Sequence, residues 1–151
     1  MRSLLVALML GVASHVGIAD AANETPRPDP KEVKSGRAVY DRYCASCHGA
    51  NAQGAPNWQE RDEYGELPAP PHDAEGHTWR HSDAELYEMV SKGWRDPFNK
   101  TTRLTMPGFG GVLSPDEIRG VIAYLKTLWT PEQRDFQSEE SRDQPFPPEG
   151  H

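Results

Sequence analysis

The sequence predicts an all-α fold of about three main helices joined by long loops. Three helix-start signals are each followed by apolar residues at helical spacing. No run alternates with the period of two that a half-buried strand requires, and no internal repeat appears. The 14 prolines and 13 glycines exceed ordinary usage, so a large share of the chain is assigned to turns and loops.

The first predicted helix opens at Asp29-Pro30-Lys31-Glu32, a capping residue followed by proline in the first turn. Val33, Arg37, Tyr40 and Cys44 then recur at helical intervals, so this helix delivers Cys44. Residues 49–76 hold Gly, Pro, Ala, Asn and isolated charges without a sustained period, which predicts a long loop. Ser82-Asp83-Ala84-Glu85 is a capping box, and Leu86, Met89 and Val90 form an apolar stripe that ends at Gly93. Ser114-Pro115-Asp116-Glu117 repeats the signal, and Ile118, Val121, Ile122, Leu125, Leu128 and Trp129 share one broad apolar face. Thr130-Pro131 interrupts that face. Residues 131–151 carry six acids against Arg134 and Arg142, and are expected to be an acidic tail, disordered after one more turn.

A chain of 151 residues with 36% hydrophobic content has room for one domain and one modest core, here expected over residues 30–130. The net charge of −7 argues against nucleic acid or an anionic membrane surface as partner. At the start, Arg2, the apolar run from Leu4 to Ile18 and the small residues Ala19, Ala21 and Ala22 have the layout of a secretory signal over residues 1–22. Gly11, Ser14, His15 and Gly17 weaken the run as a permanent span, which favours cleavage over retention as an anchor. Residues 23–29 form a flexible, proline-rich lead. Export to a periplasm follows, and an oxidising compartment makes the chemistry of the two cysteines the central question.

Their spacing and neighbour answer it. Cys44-Ala45-Ser46-Cys47-His48 is the CxxCH haem-attachment pattern. Each thiol S–H adds across a vinyl group of one rigid ring, while the adjacent imidazole becomes an axial iron ligand. A redox dithiol, a local disulfide and half a zinc site are the competing readings. The first would need a βαβ context and the last a second ligand pair, and the sequence supplies neither.

The opposite axial position is assigned to Met106, in the non-helical stretch Leu104-Thr105-Met106-Pro107-Gly108-Phe109-Gly110. Pro107 fixes the backbone and removes a donor, and the glycines permit close approach. A thioether ligand raises the potential relative to a second imidazole. Met89, on its helical stripe, is read as packing instead.

With these residues in place, the sequence resembles the class I c-type cytochromes, specifically the bacterial periplasmic monohaem type, over about Pro30 to Trp129. Gly36, Tyr40 and Cys44 repeat the family's glycine, aromatic and first-cysteine spacing, and Tyr124-Leu125 resemble the partners that cross the glycine. The resemblance implies the cytochrome c fold wrapped around one haem c. It also implies that Pro56, in Gly54-Ala55-Pro56-Asn57, offers its carbonyl to the proximal histidine. With five lysines and no dense cluster of them, the chain departs from the lysine-ringed docking face of mitochondrial relatives.

The segment from Pro70 to His81 contains His72, His77 and His81. Its plainest reading is a polar loop covering the haem. Trp79 and Arg80 could donate to the haem propionates, since an indole N–H and a guanidinium match carboxylates. Copper or zinc binding by the three histidines, or bis-histidine ligation through one of them, is disfavoured because His77 and His81 precede the Ser82 cap. Trp58, Trp94, Phe109 and Tyr43 are candidates for packing on the ring, with ordinary core as the alternative.

These readings converge on a one-electron carrier in a periplasmic respiratory or oxidative chain, not itself an enzyme, or the electron-accepting subunit of an oxidoreductase. Its donor and acceptor are redox proteins of unnamed identity. A ligand-opening peroxidase-like haem and a copper-handling module are the competing functions, and no distal acid–base pair supports the former.

Overall fold

A computed structural model describes Thr25 and residues 27–148. The first helix, α1, spans Pro30–Tyr43, with the Asp29 carboxylate accepting from the Lys31 amide at 2.7 Å and Pro30 in the first turn. The chain bends at Cys44 and resumes as the short α2, Ala45–His48. A single 3₁₀ turn covers Thr78–Arg80. Helix α3 is Asp83–Lys92 and α4 is Pro115–Lys126; each opens on its predicted serine–glutamate capping box. Among the described residues there is no strand, and the one isolated bridge joins Trp94 to Met106. The all-α expectation holds.

The core forms where α1 crosses α4. A Cβ on Gly36 would lie 1.8 Å from the Gly120 carbonyl oxygen, so the two backbones touch where both residues lack a side chain. Tyr124-Leu125, expected opposite Gly36, sit one turn further along α4. Tyr124 instead meets Tyr40, ring centroids 5.2 Å apart, and accepts from Arg37 at 2.6 Å. Ile118, Val121, Ile122, Leu125 and Trp129 are buried behind this crossing together with Leu86 and Leu113. The apolar face read from the sequence is thus the face that α4 turns inward.

Residues 49–76 lack regular structure yet are tightly pinned. The Tyr40 hydroxyl donates to the Gly49 carbonyl at 2.8 Å, and the His72 amide to the Ala52 carbonyl at 2.7 Å. Gly54, at φ +76°, lies so close to Pro71 that a Cβ would come within 2.6 Å of its nitrogen. These bonds fold the loop back onto the end of α2.

The acidic tail departs from expectation. Residues Pro131–Asp143 form a further helix, α5, begun by a capping box between Thr130 and Gln133. It docks mainly through polar groups. The Gln137 side chain, 1% exposed, donates to Asp83 at 2.8 Å and to the His81 carbonyl at 3.3 Å. Ser141 accepts from the Asp83 amide at 3.0 Å, and Phe136 packs edge-on against Trp79. Acid content and sparse apolar residues suggested disorder because neither measure registers docking by amide and hydroxyl groups. The predicted signal segment, residues 1–22, lies outside the described residues.

Gly36→Ala is expected to destabilise the haem-loaded protein by at least about 3 kcal/mol in denaturant unfolding, because backbone must move to admit the methyl. Gly120→Ala, whose Cβ would be 3.3 Å from the nearest atom of Gly36, is expected within about 1 kcal/mol of wild type, since helix propensity offsets mild crowding. Equal losses would refute the close crossing. Gln137→Ala should cost about 2 kcal/mol and speed amide exchange along α5.

Candidate haem-attachment site

The site is built at the C-terminal end of α1. The Cys44 amide still bonds the Tyr40 carbonyl at 2.9 Å, while the Cys47 and His48 amides both return to the Cys44 carbonyl, at 3.1 and 2.9 Å. One compact turn therefore presents both thiols and the imidazole. Both cysteines are free, Cys44 half-buried and Cys47 exposed. Before haem is attached, burial, with the neighbouring Cys47, pushes the Cys44 thiol up to about 11.

His48 is buried, and its Nδ1 lies 2.9 Å from the Pro70 carbonyl oxygen. That bond places the proton on Nδ1 and leaves Nε2 as the nitrogen able to ligate a metal. Burial lowers the imidazole's proton affinity, partly opposed by the Pro70 bond, and keeps the neutral form that ligation needs. The proline that meets His48 is therefore Pro70, not Pro56, which is exposed. The two loops are adjacent in space: Gly54 packs against the Pro70-Pro71 backbone, although residues 55–69 lie between that glycine and Pro70 in the chain. The sequence pattern pointed to Pro56 alone, and the fold assigns the contact to Pro70.

His72 has a place that sequence reasoning did not assign. Its ring stacks on that of His48, with centroids 4.0 Å apart and planes 30° apart. Its Nδ1 pairs with Thr78 Oγ1 at 2.7 Å, and its carbonyl accepts from the Trp129 indole at 2.9 Å. Burial first, then His48 and His77, hold the His72 ring well below its ordinary pKa. His77 faces Trp58 on one side and lies 5.7 Å from His81 on the other, so the three histidines do not converge on one point. Among the described residues, no group of three or more His, Cys, Asp or Glu side chains is placed to hold a metal ion.

The remaining candidates divide. The Trp79 indole N–H donates to the Gly76 carbonyl at 3.0 Å, and the exposed Arg80 guanidinium lies over the Trp79 ring at 4.9 Å. The indole donor assigned to a propionate is thus engaged within its own loop. Met106 is partly buried and fixed by a reciprocal pair of 2.9 Å backbone bonds with Trp94. Three residues on, Phe109 packs edge-on against Tyr43, the residue before Cys44, with centroids 6.4 Å apart. This contact brings the Met106 loop to the end of α1. Trp94 is 45% exposed, and Trp58 is engaged with His77.

The sequence profile of the family described as Cytochrome c matches residues 33–129. The chain belongs to the cytochrome c family. As a member it carries covalent haem c, and Cys44 and Cys47 have the spacing that attachment requires. The thiols and the oriented imidazole are chemically suited to that group. Electron transfer, not bond-making on a substrate, is what this cytochrome c domain supplies.

Over 100 residues it is 30% identical to "Cbb3-type cytochrome c oxidase subunit FixP" of Sinorhizobium medicae, a match covering 64% of this chain and 30% of that protein. It is 31% identical over 97 residues to "Alcohol dehydrogenase (quinone), dehydrogenase subunit" of Acetobacter aceti, covering 64% of this chain and 10% of that one. The chain thus spans less than a third of either relative. The crystal structure of cytochrome CL from the methylotroph Methylophaga aminisulfidivorans superposes with a TM-score of 0.50 at 21% identity, covering 82% of this chain and 71% of that one, and supports the cytochrome c fold.

Thr78→Val keeps the shape of a buried side chain but leaves His72 Nδ1 without its partner. A loss of about 1–3 kcal/mol in unfolding free energy is expected. An unchanged midpoint would show that the bond does not hold the His72 ring in place.

Proposed function

We propose that this cytochrome c is a one-electron carrier with a single haem attached through Cys44 and Cys47. His48 and Met106 are its axial ligands. It works in a periplasmic respiratory or oxidative chain, either as a free carrier or as the electron-accepting part of an oxidoreductase complex. The observation that carries this reading is the orientation of His48: a buried, neutral imidazole whose Nδ1 is tied to Pro70 and whose Nε2 is left for iron.

The bound haem would cycle between ferric and ferrous iron, one electron at a time. The chain's own contribution is to hold the ligands still. His48 is fixed by Pro70 and by the His72 ring, and Met106 by its paired bonds to Trp94. Ligands that do not move between redox states keep reorganisation small. The Pro70 bond also strengthens His48 as a donor.

Three supports bear on setting. The leader-like composition of residues 1–22 fits export. No described helix is long and apolar enough to cross a membrane. Relatives named as an oxidase subunit and a quinone-dependent dehydrogenase subunit fit a partner that is itself a redox protein.

Expressed with haem in a bacterial periplasm, the ferric protein should show the sulfur-to-iron charge-transfer band, and Met106→Ala should abolish it while leaving the haem attached. A band that survives the substitution refutes Met106 as ligand. The double variant Cys44→Ala, Cys47→Ala should release its haem to acidic organic solvent; haem that remains bound there would refute attachment at these thiols.

A further inference from the structure

The loop that leads to Met106 is closed by buried charge. Glu66 and Asp96 are each 5% exposed, an unusual place for carboxylates in a family whose chemistry calls for none. Glu66 accepts from the side chains of Asn99 and Arg103 in close contacts, and from the Thr105 hydroxyl at 3.4 Å. The same hydroxyl accepts from the Asp96 amide at 3.0 Å, and Asn99 also donates to the Arg103 carbonyl at 3.1 Å. Asp96 in turn accepts from Arg61 at 2.8 Å and from the Phe98 amide at 2.8 Å. A backbone bond from Lys100 to the Tyr64 carbonyl, 2.9 Å, completes the stitching of residues 61–67 to residues 94–105.

Glu66 is the hub of this knot, since its partners Asn99, Arg103 and Thr105 all belong to the loop that ends at Met106. A buried carboxylate surrounded by its donors resists displacement, because moving any donor away leaves charge without compensation. Thr105 is covalently next to Met106, and Trp94, which begins the loop, is Met106's backbone partner. Glu66 therefore holds the Met106 end of the loop directly, and the Trp94 end is tied to it through the paired bonds with Met106.

We infer that Glu66 is a positioning residue that holds the 94–106 loop closed and so keeps the Met106 sulfur from swinging away. As a statement about iron ligation this rests on the reading of Met106 as axial ligand. As a statement about the loop it does not.

The test is made on the haem-loaded protein with Glu66→Gln, and with Arg103→Gln as a milder variant should the first fold poorly. Two quantities are measured: amide hydrogen exchange at Trp94 and Met106, and the affinity of added imidazole for the ferric haem. Imidazole must displace the native ligand, so its apparent affinity rises with the fraction of open loop. Glu66→Gln is expected to speed exchange at both amides at least tenfold and to tighten imidazole binding at least tenfold, with exchange across the α1–α4 crossing unchanged. Arg103→Gln should move both in the same direction by less.

Unchanged exchange and affinity would overturn the inference. So would exchange that quickens equally in α1 and α4, since Glu66 would then be a general prop. If the wild-type ferric protein lacks the sulfur-to-iron band, the ligand reading fails. Faster exchange confined to the loop would still support closure by Glu66.

Discussion

Everything about the attachment site depends on how closely α1 and α4 approach. Side chains normally keep helix axes 8–10 Å apart, and a helix backbone can come closer only where the facing residue has no Cβ in the way. Gly36 provides that place, opposite the backbone of Gly120. The direction of α1 at Gly36 determines where its last turn points, and Cys44 follows that turn without any intervening loop. The Tyr40–Tyr124 pair and the Arg37–Tyr124 bond fix the rotation of α1 about its own axis. The end of α1 that delivers the attachment motif is thereby fixed relative to α4.

From that fixed end the rest of the site is assembled by returning segments. The loop after His48 comes back through Gly54, Ala52 and Pro70 to meet the imidazole, so the chain that leaves His48 is also the chain that orients it. Trp129, just past α4, reaches the same loop through the His72 carbonyl. The end of α4 and the surroundings of His48 are therefore joined through one loop. Disturbance of either should be felt in the other.

How much of this the sequence disclosed follows from the range of each interaction. Helix starts are local, and the capping boxes at Ser82 and Ser114 were legible because four consecutive residues carry the whole signal. The attachment motif is equally local. The Pro70 carbonyl was not, because a backbone acceptor has no side-chain signature and the glycine–proline pattern pointed to Pro56 instead. His72 was visible only as one of three histidines; stacking on His48 depends on a fold-back that composition does not encode. The helix α5 was missed for a different reason. Its one buried residue is the polar Gln137, flanked by half-buried Ser138 and Ser141, and its aromatic Phe136 is 43% exposed, so hydrophobic periodicity has little to detect.

That last failure points to how a small haem protein can divide its labour. The prosthetic group contributes apolar surface that a chain with 36% hydrophobic residues does not itself supply, and α4 contributes most of the remainder. Apolar contact is not directional, and it tolerates small slides of one element over another. Axial ligation does not tolerate them. Buried polar groups are directional and costly to unpair, and here they lie at the margins: Gln137 under α5, Thr78 behind His72, Glu66 beneath the Met106 loop. The apolar crossing contributes cohesion, and the polar knots set register. A ligand sphere that must stay the same in two oxidation states needs both.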